Sequence, residues 1–284
     1  MNTGWRRLGA AIAPALLLAA TVMPMQAAAA PAPASHTLAT TTRFYTPNPD
    51  PGAITQIISL VKAKDIKDAF LIGDMILTPQ AVWLTGGTPA VVQKSVAKTV
   101  DIAAALRTVP VLVAYNIPFR DCAQYSAGGA VDAAAYSAWI DGVAKGIGSR
   151  KAVVILEPDS LGIIPFNTDI NGNAEWCQPR DGSGNPQPGA DPATRYAELN
   201  GAVDRLELLP NVTVYLDGTH SGWLGVGDAA DRLVKAGVQR AQGFFLNISN
   251  FQATDHLQKY GTWISSCIAF ANDQIGRASC RERV

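Results

Sequence analysis

The chain has 284 residues, 23 basic and 23 acidic, and 16% of them are charged, below the ~25% of an average domain. That length holds either one barrel-sized domain or two smaller ones. A neutral balance with no basic run able to track phosphate leaves no expectation of a nucleic-acid partner; a neutral polymer or a small molecule fits better.

Trp5-Arg6-Arg7, the apolar run Leu8 to Val22 and the small residues Ala27 to Ala30 read as a secretory signal over residues 1–30. A membrane anchor is the alternative, but the apolar run is short and Pro14 and Pro24 interrupt it. The protein is therefore expected outside the cell, with no membrane association once the signal is removed. Residues 31–42 read as a disordered Pro/Ala/Thr leader, and the folded domain is expected over residues 43–274.

Phe44-Tyr45-Thr46-Pro47-Asn48-Pro49 reads as extended, and Ala53 to Ala63 as a helix. Trp83 sits in Ala81-Val82-Trp83-Leu84, just before a Gly86-Gly87 turn. Val92, Val96, Val100, Ala103 and Leu106 then recur at helical spacing. Val109 to Tyr115 reads as a buried strand ending in Asn116-Ile117-Pro118-Phe119-Arg120-Asp121-Cys122. After Gly128-Gly129, Asp132 opens a helix to Ile147 with Tyr136, Trp139 and Val143 on one face.

The uninterrupted apolar run Ala152 to Leu156 reads as a strand buried on both faces, and it stops in Glu157-Pro158-Asp159-Ser160. Asn167 to Pro192 is a long polar loop holding Trp176-Cys177; loops of that length are functional or disordered. Asp191-Pro192 opens a helix through Leu208, and Val212 to Asp217 is a strand ending in a carboxylate. A short helix, Asp228 to Ala236, is stopped by Gly237; Gln242 to Asn250 reads as the next strand, and Tyr260 to Phe270 as a helix. This alternation predicts a parallel α/β fold. No glycine-rich phosphate loop follows a strand, which favours a barrel over a nucleotide-binding sheet.

On this reading strands end in Asp121, Asp159 and Asp217, and a fourth in Asn247 and Asn250. The carboxyl ends of parallel strands are where catalytic residues collect. By itself the Glu-Pro-Asp-Ser end fits a catalytic Asp159 and a helix cap equally well. Tyr115, Trp83, Trp176, Trp223 and Trp263 are interleaved with these carboxyls. Acids beside flat aromatic faces suit a saccharide, which offers C–H faces to stack and hydroxyls to bond. Taken singly, each tryptophan fits a core position, Tyr115 a barrel wall, His220 a structural histidine and Asp217 a turn.

Four motifs in order resemble glycoside hydrolase family 6, the inverting cellulases. They are Tyr115-Asn116-Ile117-Pro118-Phe119-Arg120-Asp121-Cys122, Leu156-Glu157-Pro158-Asp159-Ser160-Leu161, Tyr215-Leu216-Asp217-Gly218-Thr219-His220-Ser221-Gly222-Trp223-Leu224-Gly225, and Asn247-Ile248-Ser249-Asn250-Phe251-Gln252. The resemblance runs from about Phe44 to Ile264 and implies a distorted parallel (β/α) barrel. It implies Asp159 as the general acid, Asp121 as the carboxyl that keeps that acid protonated, and Tyr115 as a residue that distorts the reacting sugar. Asp217, His220 and Trp223 match substrate-binding positions, with Trp83 as a more distant platform and Asn247 and Asn250 as hydroxyl contacts. The implied activity is endo-acting, inverting hydrolysis of cellulose or β-1,4-glucan by a monomer without metal or organic cofactor. Cellobiohydrolase action, and glucan binding without turnover, are the alternatives. A Cys122–Cys177 bridge matches the family's pattern, and with three histidines and no metal-ligand spacing a metal hydrolase is disfavoured.

Ile275 to Val284 departs from the family: it carries three arginines and a cysteine with no apolar period, and no Lys-Pro-Gly-Glu-type motif is present. It reads as translated sequencing adapter. The expectation is a barrel incomplete at its C-terminus and lacking the family's catalytic base. Unpaired strand edges and exposed core would then impair folding. Cys267 would be left over, and Cys280 would not be a native partner.

Overall fold

The buried apolar runs of the sequence become the strands of one parallel sheet. The computed structural model describes residue 1 and residues 38–272; the expected signal, the tail after Asn272 and Cys280 lie outside the described residues. The chain divides into two units, Met1–Ala32 and Pro33–Val284, and everything below concerns the second. Strands β1 (Val82–Leu84), β2 (Val111–Ala114), β3 (Ala152–Leu156), β4 (Val212–Asp217) and β5 (Gly243–Phe245) lie side by side in chain order, all parallel. Strictly sequential order is that of a barrel wall; a doubly wound sheet reverses direction at a switch point.

Register fixes which side chains share a face. Trp83, Val113, Ile155, Tyr215 and Gly243 form one row across the sheet, and Leu84, Ala114, Leu156, Leu216 and Phe244 the next. Successive residues of a strand point to opposite faces. Leu112, Ala114, Val154, Leu156, Val214 and Leu216 therefore pack with the helices in the main core, while Val113, Tyr115 and Ile155 cluster on the other, inner face. That inner face opens onto a largely apolar cavity of about 520 Å³ lined by residues of β2 to β5, among them Val111, Ile155, Tyr215 and Phe245, and by Phe44.

The helices are α1 (Pro51–Lys62), α2 (Ile66–Leu77), α3 (Pro89–Ala105), α4 (Ala133–Ile147), α5 (Pro192–Glu207), α6 (Val226–Lys235) and α7 (Thr254–Asn272). Asp50, Asp65, Thr88, Asp132 and Asp191 cap the first five by accepting main-chain N–H bonds, and prolines occupy the first turns of α1, α3 and α5. The α3–α4 contact depends on Gly142 and Gly146: a Cβ there would stand 2.4 Å from the Pro89 oxygen and 2.7 Å from the Gln93 oxygen. No helix among the described residues is long and apolar enough to cross a membrane.

In its helices, its last strand and its cysteines the structure departs from the sequence reading in four places. Helix α2 was not expected, because Ile66, Phe70, Leu71, Met75 and Leu77 are exposed and mask the narrow inward side of Ala69, Ile72 and Ile76; the Asp65 cap is its signal. Strand β5 stops at Phe245 instead of Asn250, since Asn247 (φ 68°) and Asn250 (φ 51°) turn the chain through left-handed backbone that asparagine tolerates. Helix α7 begins at Thr254, ahead of Tyr260. Cys267 is not left over: it is buried in the core and disulfide-bonded.

Candidate active site

The site is built where β2, β3 and β4 end. Asp159 lies just past β3, half-buried, with left-handed backbone (φ 66°). Its main-chain N–H donates to Asp217 Oδ2 at 2.9 Å, and the Ser249 hydroxyl donates to its Oδ1 at 3.4 Å. Burial, and then the negative charge of Asp121, raise its pKa above the ordinary aspartate value; Ser249, His220 and Tyr115 pull it the other way. A carboxyl so placed holds its proton at a pH where a solvated aspartate has lost it.

Asp121 is not at a strand end. Strand β2 finishes at Ala114, and Asp121 opens a short 3-10 turn (Asp121–Ala123) in which Asp121 and Cys122 have φ of 53° and 45°. The Ser126 N–H donates to its Oδ2 at 2.7 Å. Tyr115, on the inner face, meets Trp83 edge-on at 5.6 Å and carries the Arg120 guanidinium 4.6 Å over its ring. Burial raises the Tyr115 phenol, and the charges of Asp159 and Asp121 add to it. Trp83, on the edge strand, is 42% exposed.

Asp217 is the last residue of β4, as expected, and is buried there. It is 1% exposed and reaches the Asp159 main chain; its other oxygen is buried without a hydrogen-bond partner among the described residues. Burial pushes its carboxyl up to about 7, with Asp159's charge adding and the N–H bonds from Asp159 and Thr219 opposing. His220 accepts the Gly222 N–H at Nδ1 (3.2 Å), so in the neutral ring Nε2 carries the proton. Its ring lies 5.7 Å from that of Trp223. Trp223 in turn lies over Gly162, where a Cβ would stand 2.5 Å from the indole; only glycine fits. Trp223 and Trp176 line one cavity of about 250 Å³ with Asn171 and Asn173. Trp263, by contrast, stands exposed on α7.

Asn247 is committed to its own turn: Oδ1 accepts the Gln252 N–H at 2.7 Å, and its N–H donates to the Thr219 oxygen at 2.9 Å. Asn250 is exposed, its main-chain oxygen accepting from Gln252 at 3.0 Å. Cys122 and Cys177 are disulfide-bonded with Cα atoms 5.7 Å apart, fastening the Asp121 turn to the long loop after β3. Among the described residues no group of three or more His, Cys, Asp or Glu is placed to hold a metal ion.

Residues 39–273 match Glycosyl hydrolases family 6. The chain belongs to this family. It is similar to Endoglucanase 1 of Streptomyces halstedii, 34% identical over 257 residues that cover 89% of this chain and 73% of that protein. It is similar also to Endoglucanase 1 of Streptomyces sp. (strain KSM-9), 35% identical over 187 residues, 65% of this chain; there it spans about half of the relative's length, 46%. Among solved structures it resembles the endoglucanase Cel6 from Mycobacterium tuberculosis in complex with methyl-cellobiosyl-4-deoxy-4-thio-beta-D-cellobioside, at TM-score 0.67 and 33% identity over 83% of this chain and 71% of that one.

Within this family 6 domain, three charged residues that the sequence reading left without a role organise the site. Arg120 donates to the main-chain oxygens of Tyr115 (2.6 Å), Thr85 (2.9 Å), Ser126 (2.8 Å) and Ala127 (3.1 Å). Glu157, 0% exposed, accepts the N–H groups of Asn116 (2.8 Å) and Ile117 (3.0 Å), and burial raises it to about 7. Arg195, 2% exposed, stands on α5 at a position whose neighbours Leu199, Ala202 and Val203 are core. An arginine on the core stripe of a helix is the signal that marks it.

Proposed function

We propose that the chain hydrolyses β-1,4-glucosidic bonds of cellulose or β-glucan with inversion, cutting within chains, as a monomer exported by way of residues 1–30. Asp159 donates a proton to the leaving glycosidic oxygen while water attacks the opposite face of the sugar. Asp121 keeps that proton in place, since two neighbouring carboxyls resist ionising together. Tyr115 bears on the reacting ring, Trp83 and Trp223 offer faces for glucose units, and His220 Nε2–H donates to a hydroxyl. Asn250 stands within reach of solvent as a further hydroxyl contact. Asp217 and Asn247 act from behind, one on the Asp159 main chain and the other on the turn that carries Ser249. No described residue is assigned the role of base towards the water.

The observation that carries this reading is Asp159 just past β3, its pKa raised by burial and by Asp121, with Tyr115 and His220 facing it and Trp83 and Trp223 against those two rings. The endoglucanase names of the relatives and the thio-oligosaccharide in the M. tuberculosis structure support a glucan chain as substrate and internal cleavage. The test is hydrolysis of cellohexaose followed by proton NMR, with viscometry on carboxymethylcellulose. The α-anomer appearing first, and viscosity falling faster than reducing ends accumulate, are expected. The β-anomer appearing first would overturn inversion, and viscosity falling only in step with reducing ends would overturn internal cleavage.

A further inference from the structure

Arg195 reaches from helix α5 to the two loops that carry the carboxyls. Its Nη1 donates to the main-chain oxygens of Ser160 and Ile163, each at 2.9 Å, and its Nη2 to that of Pro118 at 2.7 Å. Ser160 is the neighbour of Asp159, and Pro118 belongs to the segment that leads into Asp121. We propose that Arg195 is a positioning residue: one guanidinium clamps the Asp121 loop to the Asp159 loop and so sets the separation of the two carboxyls. The inference rests on the reading of Asp159 as the acid.

Both loops need such a clamp. Phe119, Asp121, Cys122 and Ala123 on one, and Glu157 and Asp159 on the other, all have positive φ, between 45° and 66°. Non-glycine residues persist there only when surrounding contacts over-determine them. Of these residues only Glu157 is tied to a neighbouring strand, its N–H donating to the Ala114 oxygen at 2.8 Å, since β2 ends at Ala114 and β3 at Leu156. Glu157 supplies a parallel tie, holding the Asn116 and Ile117 N–H groups from the end of β3. Arg195 supplies the donors for carbonyls that would otherwise be buried without partners.

The geometry demands arginine. A planar fork presents several N–H groups in fixed directions, whereas a lysine ammonium is a point charge on a flexible stem that cannot hold three spread carbonyls at once. Acidic groups surround it: Glu198 Oε2 lies 3.6 Å from Nε, and Glu157 and Tyr136 also face the guanidinium. Asp159 itself is faced by Asp121, His220, Tyr115 and Ser249, and by Asp217 through the main chain. Of these, Asp121 raises its proton affinity and sits on the other clamped loop, so the clamp has a readout that stability does not share.

The experiment is carboxyl titration by carbon-13 NMR of aspartate-labelled protein, with the Asp159 signal assigned by its loss in Asp159→Asn. Arg195→Lys keeps the charge and loses the fork. The Asp159 midpoint is expected to fall towards the ordinary range as Asp121 drifts away. Val203→Ala, a core truncation on the same helix, is expected to lower the melting temperature and leave the midpoint in place. A folded Arg195→Lys with an unmoved midpoint overturns the proposal, as does an equal shift in Val203→Ala. Should Arg195→Lys not fold, Arg195→Gln, which shortens the stem and loses the fork, takes its place: a lower Asp159 midpoint is expected, and an unchanged one overturns the proposal. No step requires turnover, so failure of the clamp and failure of the hydrolase reading are told apart.

Discussion

The main-chain N–H of Asp159 donates to the side chain of Asp217 at 2.9 Å, across 58 residues of sequence. One carboxyl thereby holds the backbone of another, and β4 delivers the support for a loop that β3 alone leaves unpaired. Asp217→Asn keeps an acceptor there, whereas Asp217→Ala strands the N–H. An orphaned buried donor costs about 1–3 kcal/mol. Asp217→Ala is expected to lose that much by denaturant unfolding and most of its activity, and Asp217→Asn substantially less of both. Equal losses in the two variants would remove the support role.

Stability should fall as pH rises from mildly acidic to neutral. Burial raises Glu157, Asp217 and Glu198 each to about 7. The native state then binds more protons than the unfolded state between the ordinary carboxylate range and neutrality, so unfolding free energy declines through that window. One pKa unit is about 1.4 kcal/mol, which makes Glu157 alone responsible for about 3 kcal/mol between pH 4.5 and pH 8. Asp169 and Asp181 work oppositely: turn N–H bonds, with the Asn173 side chain foremost at Asp169, lower their pKa, so their contribution is lost as pH falls below the ordinary aspartate range. Melting temperature measured against pH should peak near pH 4–5 and drop towards pH 8, and Glu157→Gln should flatten the drop. A maximum at pH 8 would contradict the assignment.

Trp223 packs against Gly162, three residues after Asp159. Gly162→Ala places a methyl 2.5 Å from the indole, so the ring must swing out. Overpacking of this kind costs about 1–3 kcal/mol. The expected result is a several-fold rise in KM for cello-oligosaccharides with a shifted tryptophan emission. An unchanged KM would separate Trp223 from substrate.

The Cys122–Cys177 bridge closes a loop with a sequence separation of 55 and begins next to Asp121. In the chain-entropy account, closure of a loop this long contributes roughly 4 kcal/mol. The double variant Cys122→Ser/Cys177→Ser is expected to unfold at markedly lower denaturant and to lose activity before it loses its far-ultraviolet signal, because the Asp121 turn goes first. Loss of both signals together would make the bridge a global staple only.

Much of this was readable in advance because continuous apolar runs and capped helices leave strong local marks. Val111–Ala114, Ala152–Leu156 and Val212–Asp217 are buried runs, and Asp132 and Asp191 cap the helices expected of them. Helix α2 escaped because apolar side chains stand on its exposed side as well as on the inward side of Ala69, Ile72 and Ile76, which blurs the period. Asn247 and Asn250 read as strand because an asparagine's choice of left-handed backbone leaves no pattern. Asp217 looks the same in sequence whether it faces a cleft or a main-chain N–H; only the pairing of β3 with β4, Leu156 opposite Leu216, brings it to the Asp159 main chain. Glu157, Arg120 and Arg195 bind carbonyls and amides from distant segments, and main-chain partners carry no sequence signature.

The central claim is that Asp159 supplies the proton to the leaving group. Turnover of Asp159→Asn should be compared on cellohexaose and on 2,4-dinitrophenyl β-cellobioside, whose phenolate departs without protonation. The account predicts a loss of about 10²–10⁴-fold on cellohexaose and little loss on the aryl cellobioside. Equal losses on the two substrates, or none on cellohexaose, would contradict it.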